Sequence, residues 1–236
     1  MDQTLLTPTA MLDFEHSSIQ RLIEQRNWRT LNTYEAIGQI YVFVRDEIKF
    51  GYNEDDRLPA SRVLQDGYGQ CNTKGTLLMA LLRAVGVPTR CHGFTIYNEL
   101  QRGAIPNYLF VFAPERIIHS WVEVCYDGQW KNLEGYILDS GYLKQVQASF
   151  ANECDDFSGY AIATKCLKQP QIDWVGKDTY IQSEGIAEDL GIYHQPDEFY
   201  QARGSNLTGI KKWLFKHVLR HLMNANLHKI RRTGIK

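Results

Sequence analysis

The sequence predicts an α+β fold in which a buried helix packs on an antiparallel sheet, and two stretches carry that prediction. Residues 71–85 are apolar nearly all round (Leu77, Leu78, Ala80, Leu81, Leu82, Val85), the mark of a helix without a solvent face, and Gly86 and Pro88 end it. Residues 119–126 alternate between two faces as a strand does. The Asp127-Gly128 dipeptide before residues 129–134 is the strongest short signal for a hairpin.

The other elements follow in order. Leu12, Ile19, Leu22 and Ile23 mark a helix over 12–27. Thr33 reads as the N-cap of a stronger helix, 34–49, whose Ile37, Ile40, Tyr41, Val44 and Ile48 recur at helical spacing. A polar, acidic loop follows, and Leu58-Pro59-Ala60-Ser61 opens a short helix that Asp66-Gly67 closes. Residues 89–97 and 108–112 read as strands and 139–150 as a helix, whereas 152–201 show only short, weak segments. The last thirty residues return to a basic amphipathic helix. The expected organisation is therefore a main domain with N-terminal helices over 1–150, and a C-terminal extension over 151–236.

Hydrophobic residues at 44% and aromatics at 12% supply a real core and exclude a disordered composition. The formal charge of -1 conceals an asymmetry. Eight of the 26 basic residues and none of the 27 acidic ones lie in 205–236, which leaves 18 against 27 in the rest. Over 209–224, Ile210, Trp213, Leu214, Val218 and Leu222 share one side, and Lys211, Lys212, Lys216 and Arg220 another. The plain reading is a helix packed on the domain with a solvated basic face. An anionic membrane surface or an acidic partner is the alternative. Nucleic acid is disfavoured because the body is acidic.

No run approaches the ~20 apolar residues that span a bilayer. The N-terminal stretch has an early Asp and no basic segment of the kind a signal peptide carries. Five cysteines, at 71, 91, 125, 154 and 166, do not form a disulfide framework, so a cytoplasmic location is expected. Their spacing with the histidines makes no zinc motif, so Cys91, Cys125, Cys154 and Cys166 read as core or partly buried thiols. His217 and His221 stand beside Lys216 and Arg220 with no carboxylate nearby. Gly67 and Gly69 lack the Lys-Ser/Thr of a phosphate loop. Neither a metal nor another cofactor is expected.

Three residues carry the chemistry. Cys71 follows a glycine-loosened approach (Gly67-Tyr68-Gly69-Gln70) and starts the buried helix, where unpaired N–H groups and the positive dipole end stabilise a thiolate. His119 begins the strand with alternating faces. If Asp127-Gly128 is a two-residue turn, Tyr126 opposes Gln129, Trp121 opposes Glu134 and His119 opposes Tyr136. Glu134 then shares the His119 face one diagonal step away, at ~7–8 Å between backbones, within reach of a long side chain. A carboxylate there holds the imidazole in one tautomer, the third role in a triad. Asp139, the rival, falls on the opposite face. Tyr52, Gln65 and Gln70 are candidate donors to an acyl oxygen.

At these residues the sequence resembles a known family. Gly69-Gln70-Cys71, followed by the run from Leu77 to Arg90, looks like the cysteine helix of bacterial transglutaminase-like proteins, which ends in an L-R-A-x-G-[IV]-P-x-R phrase. His119-Ser120-Trp121-Val122-Glu123-Val124 is similar to that family's histidine strand, and the segment from Trp130 to Glu134 resembles its carboxylate strand. The family usually has Asp where this chain has Glu134. The resemblance implies a papain-like, transglutaminase-like core with Cys71, His119 and Glu134 as a catalytic triad. It also implies a peptidase or amidase that works through a thioester on a peptide or protein substrate. A transamidase with an amine acceptor, and a non-enzymatic binding module on the same fold, are the two alternatives.

Overall fold

The computed structural model describes residues 3–150 and 156–235, so Cys154 lies outside the described residues. The elements run α1 (Ser17–Gln25), α2 (Thr33–Asp46), β1 (Lys49–Phe50), α3 (Ala60–Asp66), β2 (Tyr68–Gly69), α4 (Cys71–Ala84), β3 (Thr89–Tyr97), α5 (Asn107–Phe110), β4 (Arg116–Tyr126), β5 (Gln129–Leu133) and α6 (Ser140–Ser149). Further along come β6 (Phe157–Gly159), β7 (Ile162–Thr164), β8 (Ile186–Tyr193) and α7 (Pro196–Arg203). A long C-terminal helix then consists of α8 (Gly209–Leu214), a wide π turn (Phe215–Leu219) and α9 (Arg220–Thr233).

The fold is α+β. Every residue of α4 from Cys71 to Arg83 is buried, and the helix packs on an antiparallel sheet of order β5-β4-β3-β8. Helices α1, α2 and α3 cover the sides of α4 away from the sheet. Asn32 caps α2 one residue before the expected Thr33. Its side chain accepts the Glu35 N–H at 3.0 Å, and the Glu35 carboxylate takes the Asn32 N–H at 3.4 Å.

The hairpin register is the one the sequence specifies. Asp127 (φ 51°) and Gly128 (φ 71°) form a two-residue turn with both residues left-handed, and Tyr126 pairs with Gln129 through to Val122 with Leu133.

Residues 108–112 depart from the strand reading. They contribute to the single helical turn α5, followed by exposed Val111 and Phe112. No strand pairs with this segment in the sheet, whose order is β5-β4-β3-β8. Within the weakly patterned region, β8 hydrogen-bonds along β3 and so completes the same sheet as the hairpin. Sequence polarity hid β8 because it is an edge strand with no fully buried residue. Gly93 of β3 permits α7 to dock, since a Cβ there would stand 2.3 Å from the buried Phe199 ring.

The C-terminal helix lies across the body. Met223, Leu227 and Ile230 are buried, and α9 packs on α6. Part of its basic face is consumed in ion pairs. Lys212 meets Asp55, Lys216 meets Glu54 at 3.0 Å, and Arg231 meets the fully buried Asp139 at 2.6 Å. No helix among the described residues is long and apolar enough to cross a membrane.

Asp139 caps α6 through the Tyr142 N–H at 3.0 Å and also accepts the Phe50 N–H at 2.9 Å. Burial works against its ionisation, but hydrogen bonds and charge from Arg231 outweigh it and hold its pKa below the usual carboxylate value. Asp139→Asn should therefore destabilise the protein by about 3 kcal/mol, the order of cost for breaking a buried pair. Urea unfolding at neutral pH measures this, and a loss under about 1 kcal/mol contradicts it.

Candidate active site

Cys71 is the first residue of α4, where the helix leaves N–H groups without intrahelical acceptors. Gln70 precedes it in extended conformation, and Thr73 Oγ1 closes the corner by accepting the Gln70 N–H at 3.1 Å while donating to Asn53 Oδ1 at 2.6 Å. The Tyr136 hydroxyl donates to the Cys71 carbonyl at 3.2 Å. That approach requires Gly75, because a Cβ at 75 would stand 2.6 Å from the same hydroxyl.

What holds the start of α4 against β4 is the residue after the cysteine. Asn72 donates to the Ile118 carbonyl at 3.1 Å and accepts from the Ser120 hydroxyl at 2.9 Å, so it grips β4 on both sides of His119. Asp56 completes this junction by accepting from Gln70 (2.9 Å), Asn72 (3.2 Å) and Asn206 (3.1 Å). Burial raises its pKa despite these amides. Asn206 in turn accepts the Ile118 N–H at 2.6 Å.

His119 is fully buried, and its Nε2 lies 3.3 Å from Glu134 Oε1. With Nε2 spent on Glu134, the ring keeps Nδ1 as its second nitrogen, a buried atom with no hydrogen-bond partner among the described residues. Burial alone would lower the histidine pKa. The Cys71 charge and hydrogen bond, followed by the Glu134 hydrogen bond and charge, overcome burial and raise it to about 10. Phe94 and Trp121 wall the ring, with centroids 6.4 and 6.2 Å from it.

Glu134 is also fully buried. Just past Leu133 the chain turns away from β4, and the Glu134 N–H goes to the Thr179 carbonyl at 3.0 Å. Its side chain uses both oxygens. Oε1 faces His119, and Oε2 accepts the Ile181 and Gln182 N–H groups at 2.9 and 3.0 Å. Asp139 points elsewhere, into the Arg231 pair. The structure thus brings Cys71, His119 and Glu134 together and leaves Asp139 out.

Of the three candidate oxyanion donors, Tyr52 and Gln70 line the cleft beside Cys71, and Gln65 is exposed on α3. The Tyr52 hydroxyl donates to Gln101 at 2.7 Å, and Gln70 is engaged by Asn53 and Asp56. The roles of Asn72 and of the 179–182 segment were missed from sequence. An Asn after a cysteine is a faint signal, and backbone N–H donors at Ile181 and Gln182 leave no signal in residue type. His217 and His221 gather no carboxylate, and no cluster of three or more His, Cys, Asp or Glu suited to a metal occurs among the described residues.

Cys71 opens into a cleft at the start of α4. One wall is α5 with the 112–118 segment, and the other is the C-terminal helix from Lys211 to Met223.

Residues 23–135 match the family model of the transglutaminase-like superfamily. No curated protein matches the chain. Among solved structures, the chain resembles a Cytophaga hutchinsonii protein provisionally assigned as a cysteine protease, with 13% identity and a TM-score of 0.46. The similarity covers 82% of this chain and 47% of that one, so this chain spans about half the length of that neighbour. The matched segment contains the cysteine helix, the histidine strand and the glutamate at the end of the hairpin, so over that segment the chain is similar to the transglutaminase-like superfamily.

Proposed function

We propose that the protein is a cysteine-dependent acyl-transfer enzyme that hydrolyses an amide bond, as a peptidase or amidase, through a thioester on Cys71. The observation that carries this reading is the buried line of Cys71, His119 and Glu134, in which the imidazole pKa is raised although burial alone would lower it. A histidine held as imidazolium beside a cysteine at a helix start is the arrangement that supplies a thiolate nucleophile at neutral pH.

The steps follow from the geometry. Cys71 Sγ attacks the carbonyl carbon, and the developing oxyanion lies against the Cys71 N–H at the start of α4. As the carbon–nitrogen bond breaks, the proton on His119 Nδ1 passes to the leaving amine. Water then gives a proton to Nδ1 and attacks the thioester, and the carbon–sulfur bond breaks to return the thiolate. Glu134 accepts from Nε2 throughout and so fixes which nitrogen carries the mobile proton.

Iodoacetamide at about pH 6.5, well below the ~8.5 of a free thiol, should alkylate Cys71 ahead of every other cysteine, as mapped by mass spectrometry. This holds although Cys71 is only 8% exposed. Equal labelling of all the cysteines in the folded protein refutes the reading. His119 should titrate far above the ordinary ~6.5 of a histidine and stay imidazolium through about pH 8. Its ring resonances in an NMR titration report the midpoint, which should fall in Glu134→Gln.

That variant has a further fault. The amide it introduces has one acceptor oxygen where the carboxylate uses two, so either His119 or the Ile181 and Gln182 N–H groups go unpaired. Amide turnover should fall by at least about tenfold. The Asp-to-Asn change in a serine triad costs on the order of 10⁴, and a preformed thiolate needs less help. Glu134→Asp should fail as well, because the shorter side chain cannot span both contacts. A Glu134→Asp variant with full turnover and unchanged thermal stability overturns this account of the acid.

A further inference from the structure

The cleft beside Cys71 differs in character along its walls. Around the sulfur stand polar side chains already engaged with one another: Tyr52 with Gln101, Gln70 and Asn72 with Asp56. Although Glu54, Asp55, Lys211 and Lys212 also stand on its wall, the larger part of the lining is hydrocarbon. Ile105, Leu109 and Ile117 contribute from one side, and Leu214, Phe215 and Leu219 from the other. The apolar character continues to the outer surface, where Val111 and Phe112 beyond α5 and Ile210 and Trp213 of α8 are exposed. Lys212 and Lys216, which could have charged the cleft, are turned onto Asp55 and Glu54.

An occupant must suit this lining. A peptide main chain carries an N–H and a C=O at every residue, and each needs a partner when buried. The cleft offers them little backbone pairing: its walls are helix side chains and the start of β4, where β5 pairs only from Val122 onward and the outward Ile118 N–H and C=O are already taken by Asn206 and Asn72. A linear aliphatic chain needs no partners and gains from every methylene removed from water.

Building on the nucleophile reading above, we propose that the acyl group transferred to Cys71 carries a linear aliphatic chain of medium length, which lies between α5 and the C-terminal helix. The step balances as before. The carbonyl carbon of the fatty acyl amide or ester bonds to Sγ, its bond to the leaving nitrogen or oxygen breaks, and that atom takes the proton from His119. Water restores the thiol enzyme and releases a fatty acid.

The test uses p-nitrophenyl esters of acetic, butanoic, hexanoic and octanoic acids on the full chain. Nitrophenolate release and the acyl adduct on Cys71 are followed by absorbance and intact mass. Acylation kcat/KM should rise about two- to fourfold per added methylene until the cleft is filled. Ala113 lines the cleft from the loop after α5, so Ala113→Trp should lower the ratio of octanoyl to acetyl transfer at least about tenfold. The wild-type series decides even if that variant folds poorly. A flat or falling series, or a higher rate with the p-nitrophenyl ester of N-acetyl-leucine than with the octanoyl ester, overturns the aliphatic substrate and leaves the nucleophile standing. No acyl adduct on Cys71 from any ester, together with unselective iodoacetamide labelling, overturns both.

Discussion

A helix buried on every side constrains everything around it. α4 has no solvent face, so the chain must cover it with the sheet, with three N-terminal helices and with the loops that carry its polar residues' partners. Those residues are few and fully used. Lys74, whose pKa burial pushes well below the usual lysine value, donates to the carbonyls of Arg45 and Ile137. Arg83 reaches the carbonyls of Thr4, Thr7, Thr89 and His194. A buried charge without partners costs several kcal/mol, so these contacts fix where distant segments can lie. Cys71 inherits its rigidity from this arrangement, as the first residue of an element that cannot shift.

Bringing the cysteine and the histidine together is a separate problem, because α4 and β4 come from different parts of the chain. Asn72 addresses it by holding the backbone and side chain of the residues flanking His119. Neither contact touches the sulfur or the imidazole. The third member arrives by another route. Glu134 sits where the hairpin has just ended, and the 179–182 segment, not β4, takes over its backbone and one carboxylate oxygen. The extra methylene of Glu over Asp lets one carboxylate bridge the imidazole and that segment.

Residues 71–85 and the Asp127-Gly128 hairpin were legible because apolar periodicity and turn chemistry are local. A two-residue turn fixes the pairs from Tyr126–Gln129 to Val122–Leu133, but the ladder ends there, so the expected Trp121–Glu134 and His119–Tyr136 pairs do not form and Glu134 meets His119 from just beyond the strand. The 108–112 run failed for a non-local reason. Its β-favouring residues fold into a helical turn beside the cleft, and propensity yields to tertiary context. Strand β8 was hidden because half-exposed edge residues carry no clear alternation. The boundary drawn at 150 marked a change in sequence pattern, yet β8, the 179–182 donors and Arg231 all lie beyond it and reach into the core.

The order in which a ribosome releases the chain gives the Glu134 contacts a temporal meaning. Cys71, His119 and Glu134 all emerge well before Ile181 and Gln182, whose N–H groups hold the second carboxylate oxygen. Domains form from the N-terminal side as synthesis proceeds, and a buried carboxylate without its donors favours staying in water. The imidazole therefore gains its fixed partner late in translation.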